Sequence, residues 1–322
     1  MTQWHPAAGP QAAANRAAML QRIRDYFQAA RVLEVDTPAL SPFAISDTQI
    51  ESFEIGHSAV SSRPLFLHTS PEFCMKRLLA AGYPDIYSIC RVFRDGEAGR
   101  QHQPEFTMIE WYRLSFELQD IIDDSLRVIR AALATAAPTD ARQYDYRELF
   151  IDSAGLDPLL TPVHELAAAA DVDSQLRETL ADDRDDWLDL LLATRVAPGF
   201  DSDCLTVVRH YPASQAALAR LCPADASVAD RFEIFLGATE LANGYIELTD
   251  ALEQRQRIQA DNASRERRGR RQRPIDQDLL AALEHGLPAC AGVAMGLERL
   301  QMLHDNTDDI RDVVTFAFEA DA

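Results

Sequence analysis

Residues 86–113, IYSICRVFRDGEAGRQHQPEFTMIEWYR, decide the fold. Two segments rich in aromatic and branched apolar residues, 86–93 and 105–112, flank a polar loop, which predicts an antiparallel hairpin. The loop carries two arginines, Arg94 and Arg100. Arginine presents a planar fork of donors that can hold phosphate oxygens bidentately. The hairpin therefore predicts a polyphosphate site, and the simpler alternative is a charged loop with solvated side chains.

Upstream of the hairpin, the spacing of apolar residues predicts a helix over residues 11–31. The next segment, VLEVDTPALSP at 32–42, predicts a short strand that ends at Pro38. A second strand and a helix are predicted within PLFLHTSPEFCMKRLL, residues 64–79. Serine and proline favour a helix start there. The simplest interpretation of these residues is a helix N-cap. The alternative is functional: Glu72 binds the amino group of a substrate.

Downstream of the hairpin, the pattern predicts an amphipathic helix over residues 116–134 and a helical insertion at about 136–200. A strand is predicted over 204–211. It leads to RFEIFLGATELANGYIELTD, residues 231–250, a segment rich in strand-forming residues. These elements predict an α+β fold.

Three glutamates, Glu233, Glu240 and Glu247, follow one another at seven-residue steps in that segment. An odd step would alternate them between the faces of a regular strand. A hairpin turn near Gly237, or a bulge near Asn243 and Gly244, would bring them together. Carboxylates are hard oxygen ligands suited to Mg²⁺, and the alternative is surface charge.

The last motif is GVAMGLERL, residues 292–300, which predicts a glycine-rich strand that enters a helix carrying Arg299. This arginine offers a second clamp for phosphate, and the alternative is a packed corner with a surface arginine. Before it, residues 265–274 hold six arginines, RERRGRRQRP. Such a run is usually a solvated loop. The alternative is a docking site for an acidic partner.

The composition of the 322-residue chain excludes several classes of protein. A net charge of −20 opposes broad nucleic-acid binding, so no tRNA partner is expected. No apolar run approaches the ~20 residues that span a membrane, and the first residues lack the features of a signal peptide. The five cysteines are scattered, and no pair has the spacing of a zinc motif. We therefore expect a cytoplasmic protein with unpaired thiols.

Three of these segments stand in the order of a known family. VLEVDTPALSP, RVFRDGEAGRQHQPEFTMIEWY and GVAMGLERL resemble the three signatures of class II aminoacyl-tRNA synthetases, and the match is to the lysyl branch. TSPEFCMKRLL and ELANGYIEL are also similar to that branch. The resemblance implies a catalytic core in which helices flank an antiparallel sheet, with the first signature at a homodimer interface.

The position of the first signature near residue 32 favours one subfamily. It leaves no room for the anticodon-binding domain that lysyl-tRNA synthetases carry, so we expect a single catalytic domain over residues 1–322. The chain thus resembles the truncated paralogues, the elongation factor P–(R)-β-lysine ligases. That family adenylates (R)-β-lysine with ATP and transfers it to a lysine side chain of elongation factor P. Ala294 also matches the paralogues, because lysyl-tRNA synthetases tend to have glycine there.

The resemblance assigns roles to residues that match the motifs. Arg94 and Arg299 are the catalytic phosphate clamps. The residues expected around ATP are Arg94, Asp95, Gly96, Glu97, His102, Gln103, Phe106, Glu240, Leu241, Gly296 and Arg299. The residues expected around the amino acid are Ser70, Pro71, Glu72, Glu110, Tyr112, Asn243, Glu247 and Ala294. The expected Mg²⁺ ligands are Glu233 and Glu240.

The chain departs from the family pattern in its nucleotide loop and in its third signature. The usual Arg-x-Glu is extended by one residue, so either Glu97 or backbone groups near Gly96 contact the adenine. The usual His-Asn-Pro has glutamine at Gln103, and Glu298 stands where aspartate is common.

Two other functions remain open from the sequence. One is an enzyme that activates α-lysine or another amino acid and uses a different acceptor. The other is a regulatory paralogue that binds a ligand without turnover. Retention of both arginines and of the glutamates Glu233 and Glu240 favours an enzyme.

Overall fold

The computed structural model describes residues 4–318. The chain divides into two compact units. The first consists of the chain up to Glu117, Arg127–Ala137 and the chain from Thr249 onward. The second consists of Leu118–Leu126 and Pro138–Leu248. The second unit contains the predicted insertion and also the glutamate segment that follows it.

The helices are α1 (Pro10–Ala29), α2 (Glu72–Ala80), α3 (Leu118–Leu133), α4 (Tyr146–Ala154), α5 (Val163–Ala170), α6 (Ser174–Leu180), α7 (Arg184–Leu191), α8 (Ala251–Arg267), α9 (Gln277–Gly286) and α10 (Leu297–His304). The strands are β1 (Leu33–Glu34), β2 (Leu40–Ser41), β3 (Glu54–Ile55), β4 (Leu65–Leu67), β5 (Ile86–Phe93), β6 (Glu105–Leu114), β7 (Ala141–Asp145), β8 (Leu205–Arg209), β9 (Leu221–Cys222), β10 (Asp225–Ala229), β11 (Arg231–Leu236), β12 (Thr239–Ile246) and β13 (Cys290–Gly296).

The predicted hairpin forms the centre of the first unit. Strands β5 and β6 pair antiparallel, with Val92 opposite Phe106. Strand β13 pairs antiparallel with the other edge of β6, and β1 pairs parallel with β5. The order in this unit is therefore β1-β5-β6-β13, and a smaller sheet has the order β2-β4-β3. Both strands of the hairpin and the strand–helix corner at β13 and α10 are confirmed.

The core of the first unit forms where α2 and α9 pack on the hairpin. Met75 and Leu79 from α2 and Leu283 from α9 are buried together with Ile86 of β5. Helix α1 buries Phe27, whose ring stacks on Tyr87 at 4.4 Å between centroids. The apolar spacing that predicted α1 is the spacing that buries Phe27.

The second unit has strands in the order β12-β11-β8-β7, with β7 and β8 parallel and the other pairs antiparallel. Helices α4, α5 and α7 bury Tyr146, Leu166 and Trp187 in one cluster with Tyr211. The helices expected in the insertion are present. The insertion also contains an edge strand, Ala141–Asp145, that the sequence analysis did not predict. Its side chains are mostly exposed and lack apolar alternation, so no strand pattern marked it.

The fold is α+β, with mostly antiparallel strand pairing, as the sequence predicted. All five cysteines are free thiols, which confirms the expectation of unpaired cysteines. Between residues 4 and 318, no helix is both long and apolar enough to cross a lipid bilayer.

Candidate active site

The loop between β5 and β6 holds Arg94 in a half-buried position. Its backbone N–H donates to the Pro104 carbonyl at 2.9 Å, and its guanidinium lies 5.1 Å from the ring centre of Phe106. Nη1 lies 3.5 Å from Oε1 of Glu97. Nε is buried, and no group within residues 4–318 accepts a hydrogen bond from it. A phosphate oxygen would satisfy this donor, which is otherwise costly to bury.

The second predicted clamp, Arg299, is hydrogen-bonded to the same loop. It lies in the first turn of α10, and its Nη2 donates to Nε2 of His102 at 2.8 Å. An imidazole that accepts at Nε2 is neutral and carries its proton on Nδ1. His102 therefore links the loop to α10, and Gly296 is the residue at which that helix begins.

The remaining loop residues are held mainly through backbone contacts. Asp95 donates its N–H to the Glu51 carbonyl at 2.8 Å. Gly96 has a φ of +83°, which a residue with a side chain adopts only with strain. The amide oxygen of Gln103 accepts from the backbone N–H of Phe318 at 2.6 Å. Gln103 thus anchors the segment at Phe318 and would have to release it to reach a nucleotide.

A buried carboxylate, Glu110, lies in the middle of β6. Its two oxygens accept from the hydroxyls of Ser70 at 2.6 Å and Tyr112 at 2.7 Å. Ser70 also accepts from the backbone N–H of Glu72 at 3.0 Å, although the N-cap residue of α2 is Pro71 and not the predicted serine. The strand register places Ala294 directly opposite Glu110. Residues directly opposite share one face of the sheet, so Ala294 and the carboxylate line the same pocket.

Glu72 is paired with the only lysine of the chain. Nζ of Lys76 donates to Oε1 of Glu72 at 2.6 Å, one helical turn apart, and Lys76 is 1% exposed. Burial raises the pKa of Glu110 to about 8, and the nearby Glu72 adds to the rise. The hydroxyl donors and Lys76 act in the opposite direction. A second ammonium bound beside Glu110 would favour the ionised form of this carboxyl group, so binding would release its proton and leave two carboxylates facing two cations.

In the second unit, a β-bulge places the predicted carboxylates on one face. The β11–β12 register pairs Glu233 with Asn243 but Phe235 with Glu240, so Leu241 is the extra residue. Glu233 and Phe235 point to the same face of β11. Glu240 therefore faces the same side as Glu233, which a regular strand would not allow. The predicted hairpin turn at Gly237 is confirmed, whereas the bulge is at Leu241 and not at Asn243 and Gly244.

Glu233 is buried and strongly hydrogen-bonded. Tyr211 donates its hydroxyl to Oε2 at 2.7 Å, and Arg231 donates Nη2 to Oε1 at 2.6 Å. The Nε of Arg231 donates to Oδ1 of Asn243 at 3.2 Å. Burial raises the pKa of Glu233 to about 7, Arg231 opposes the rise, and the nearby Glu240 adds to it. Glu247, farther along the chain, is also buried.

The donor set of Glu233 and Glu240 fits a divalent cation. Burial is the main cause of the raised pKa of Glu233, and the charge of the nearby Glu240 adds to it, so a cation near both carboxylates would reduce their repulsion. Each oxygen of Glu233 accepts one hydrogen bond and keeps one lone pair. Hard oxygen donors of this kind suit Mg²⁺.

Comparison with known proteins places the chain in a family. Residues 10–320 match the model of tRNA synthetases class II (D, K and N). A protein of Sodalis glossinidius named elongation factor P–(R)-β-lysine ligase is 44% identical over 324 residues, which cover 98% of each chain. Proteins of the same name from Mannheimia succiniciproducens and Pectobacterium carotovorum are 43% and 42% identical, over 97% and 98% of their lengths. The chain belongs to this family. The resemblance read from the three signatures is thereby confirmed.

Within this family member, the predicted site residues fall into three groups, two in the first unit and one in the second. The first unit brings together the hydroxyl and carboxylate residues around Glu110, and separately the loop residues with Arg299. The second unit brings together Glu233, Glu240 and Asn243 on one sheet face. Their functional roles stay predictions, since each rests on motif position.

Sequence reasoning missed four polar residues that hold these groups in place. Lys76 was noted only as a lone lysine, although its spacing of four from Glu72 predicts an ion pair. Arg231 lies two residues before Glu233, so strand alternation places both on one face. Tyr211 and Asp189 are distant in sequence, and no local pattern marks them. Burial raises the pKa of Asp189 to about 6.

Glu298 was treated as a minor variation of the third signature, but the structure makes it an anchor. Both of its carboxylate oxygens accept from the Thr107 backbone N–H, at 2.9 and 3.1 Å. Arg16 of α1 donates to it at 2.9 Å. The residue therefore ties α1, β6 and α10 together.

The arginine run is not simply a solvated loop. Arg265 and Arg273 are buried, and both pair with Glu51. The run therefore packs against Glu51. The backbone carbonyl of Glu51 also accepts a hydrogen bond from the N–H of Asp95 in the nucleotide loop. The expectation that these two side chains are solvated is wrong, because burial with a carboxylate partner stabilises them.

Proposed function

We propose that the chain is an ATP-dependent ligase that adenylates (R)-β-lysine and transfers it to the ε-amine of a lysine on elongation factor P. The buried pocket of Glu110 and Glu72 carries this proposal. It accepts an ammonium group, its floor residue Ala294 lies opposite the carboxylate, and it belongs to a chain whose relatives bear the ligase name. The acceptor is a protein side chain and not a tRNA.

In the first step, the carboxylate of the amino acid attacks the α-phosphorus of ATP, and pyrophosphate leaves. This chemistry needs positioning and charge stabilisation and no protein nucleophile. Arg94 binds the α-phosphate through its fork, including the buried Nε. Arg299 binds the γ-phosphate, with its orientation held by His102. Phe106 provides a stacking surface for the adenine, with Glu97 as a second contact from the same unit. Leu241 is a proposed nucleotide contact by its motif position.

In the second step, the ε-amine of the acceptor lysine attacks the carbonyl of the aminoacyl adenylate. An amide bond forms, AMP leaves, and the attacking nitrogen gives up a proton. The attacking amine must be neutral, because an ammonium has no lone pair. The leaving AMP is stabilised by the same arginine, Arg94.

The amino acid is recognised at its two ends. Glu110 and Tyr112, with Glu247, receive the distal ammonium, and Glu72 reads the amino group near the reacting carboxylate. Asn243 faces that carboxylate. Ser70 orients Glu110 by its hydrogen bond, and Pro71 fixes the start of α2. The methyl of Ala294 narrows the floor of the pocket and favours the β-amino acid over the α-amino acid.

Glu233 and Glu240 are the proposed ligands of Mg²⁺. When bound there, the ion neutralises phosphate charge. Arg231 and Tyr211 keep Glu233 oriented, and the bulge at Leu241 keeps Glu240 on the same face.

The protein is further proposed to act as a cytoplasmic homodimer. Support comes from exposed apolar side chains in the first signature, where Leu33 is 45% and Leu40 is 43% exposed. Both lie on short strands, and β1 is an edge of its sheet. Exposed apolar residues that form a contiguous patch mark surfaces for contact with other proteins.

The deciding experiment is ATP–pyrophosphate exchange measured with (R)-β-lysine and with α-lysine, followed by mass spectrometry of elongation factor P. We expect strong preference for β-lysine and a mass increase on the acceptor. Preference for α-lysine would contradict the role of Ala294. Absence of exchange with both amino acids would favour the regulatory alternative.

A matched pair of arginine variants tests the nucleotide site. Arg94→Ala removes the proposed α-phosphate clamp, and exchange should fall by roughly 100-fold or more. Arg100→Ala lies in the same loop, but its side chain pairs with Asp308 at 2.5 Å and is well exposed. This control should retain exchange. Equal activity of both variants would overturn the assignment of Arg94.

A further inference from the structure

Three side chains with metal-binding atoms meet in the second unit, and none of them is a proposed ligand of Mg²⁺. They are His210, Cys222 and Asp230, and one ligand atom of each lies within 4.8 Å of the other two. Nε2 of His210 is 3.9 Å from Oδ1 of Asp230. The aspartate is buried, and the other two residues are half-buried.

The three residues come from separate strands whose backbones are fixed. His210 follows β8 and donates its N–H to the Arg231 carbonyl at 2.9 Å. Cys222 ends β9. Asp230 joins β10 to β11 and donates its N–H to the Arg220 carbonyl at 3.0 Å. The two bonds fix the backbone at His210 and Asp230, and Cys222 is paired with Asp225 in the β9–β10 register.

Neighbouring groups orient two of the three ligands. Nδ1 of His210 donates to Oδ1 of Asp145 at 2.5 Å, which leaves the Nε2 lone pair for a metal. Arg220 donates to Oδ2 of Asp230 at 2.7 and 3.1 Å, which leaves Oδ1 for a metal. A carboxylate behind a ligating histidine, and a hydrogen bond to a ligating carboxylate, are the usual second layer of a metal site.

The backbone of His210 is a further sign of a specialised position. Its φ is +58°, in the left-handed region that residues other than glycine rarely adopt. Such strain persists where the surrounding structure enforces it, and it occurs often at functional sites. Here it turns the chain at the end of β8, where the imidazole meets Asp145.

We propose that His210, Cys222 and Asp230 bind a zinc ion with three protein ligands and a water. One imidazole, one thiolate and one carboxylate are a donor set that suits this borderline-soft ion. With metal–ligand bonds of about 2.0–2.3 Å, tetrahedral ligand atoms are roughly 3.3–3.5 Å apart. The cluster must therefore contract by roughly 1 Å in its longest separation. Binding replaces the thiol proton of Cys222 with the metal and releases that proton to solvent.

The site would stabilise the β9–β10 hairpin against β8. Charges around it include Asp145, Asp225 and the cationic Arg209 and Arg220. Asp225 lies opposite Cys222 in the strand register, and Arg209 pairs with Asp145 at 3.4 Å. The rival explanation is an ion-pair network around His210 in which Cys222 has no part.

The test uses the full-length protein after treatment with a chelator. Cobalt(II) is titrated as a spectroscopic probe, and zinc is then used to displace it. We expect one cobalt per chain with a thiolate-to-metal absorption band. Cys222→Ser and His210→Gln should each weaken binding by at least ~100-fold, and Asp145→Asn by ~10–100-fold.

Two matched controls define the background. Cys74→Ser changes another half-buried thiol. His304→Gln changes another histidine that is paired through Nδ1 with a carboxylate, that of Asp305, at 2.7 Å. Neither should alter cobalt affinity. Binding that is absent, that lacks the thiolate band, or that is equally strong in Cys222→Ser would overturn the proposal.

A measurement on the unchanged protein removes any dependence on variants that fold poorly. Alkylation of the five thiols is followed by peptide mass spectrometry with and without zinc. Zinc should slow alkylation of Cys222 by at least ~10-fold and leave Cys74 unaffected. Equal rates would contradict the site. Because pyrophosphate exchange is not a readout here, failure of this proposal is distinguishable from failure of the proposed ligase function.

Discussion

At the scale of single residues, Glu110 is a carboxylate that is buried before any substrate binds. Its pKa is raised to about 8 in the folded protein, with burial as the main cause. In the unfolded chain a glutamate titrates near ~4.3. Between these values the folded state holds a proton that the unfolded state has lost, so stability falls as pH rises through this window. The contribution of Glu110 to the stability of the ligand-free protein is therefore expected to be larger below about pH 5 than near pH 8.

Glu110→Gln should remove this contribution. The variant's melting temperature, minus that of the unchanged protein, should increase steadily from about pH 5 to about pH 8 without ligand. Differential scanning calorimetry across that range is the measurement. Glu105→Gln is the control, since Glu105 lies on the same strand but is exposed and pairs with Arg91. A flat difference for Glu110→Gln would contradict the raised pKa.

Ala294 makes a second prediction at this scale. Its position opposite Glu110 means that Ala294→Gly enlarges the pocket beside the carboxylate. Loss of one methyl should reduce the preference for β-lysine over α-lysine by ~10–200-fold in kcat/KM for exchange. Ala291→Gly is the control, because residues three apart in a strand face opposite sides. An unchanged ratio in Ala294→Gly would show that selectivity lies elsewhere.

At the scale of elements, the arginine run joins α8 to the chain before β3. Arg265 donates to both oxygens of Glu51, at 2.9 and 2.7 Å, and to the Asp47 carbonyl at 3.0 Å. Asn262 and the backbone of Arg273 exchange two hydrogen bonds, at 3.0 and 2.7 Å. The segment from Arg265 to Arg273 is thus fixed at both ends.

Arg265→Met should lower the free energy of unfolding by about 1–3 kcal/mol, because it removes the hydrogen bonds of Arg265 to Glu51 and to the Asp47 carbonyl, while Glu51 keeps Arg273 as a partner. Urea denaturation of the full-length protein measures this. Arg271→Met serves as the control, since its side chain is 82% exposed and its pair with Glu54 should be worth no more than ~1 kcal/mol. Equal losses in the two variants would mean that the burial of Arg265 does not matter.

The same elements show how far sequence reasoning reaches. The hairpin and the helices were predictable because apolar periodicity is a local property. The bulge at Leu241 was not, because it depends on how β11 and β12 pair. Arg265 was read as solvated because charge runs usually are, and its partner Glu51 is distant in sequence. In the site, motif order supplied the residues, whereas Lys76 and Tyr211 emerged only from tertiary packing.

Distance in sequence also explains why the cysteine spacing gave no sign of a metal site. His210, Cys222 and Asp230 are 12 and 8 residues apart and belong to different strands. Spacing rules detect ligands that share a turn or a helix. Ligands gathered by strand pairing have no fixed spacing, so only the folded structure reveals them.

At the scale of the whole molecule, the charge of −20 and the exposed first signature act on association. Like charges on two copies repel, so a dimer of this protein must gain its stability from apolar contact. The exposed side chains of Leu33 and Leu40 are the available apolar surface in that signature. Raising the salt concentration screens the repulsion and should strengthen the association.

The last prediction follows from this balance. Replacing both Leu33 and Leu40 with glutamate adds charge to the apolar surface and should convert the proposed dimer to a monomer at micromolar concentration. Sedimentation velocity at two salt concentrations measures the change. Leu160→Glu is the control, because this leucine is as accessible but lies in the second unit, outside the first signature. If the unchanged protein is a monomer, the proposed dimer does not exist. If the double variant remains dimeric, the subunit contact lies elsewhere. Neither outcome bears on the adenylation chemistry.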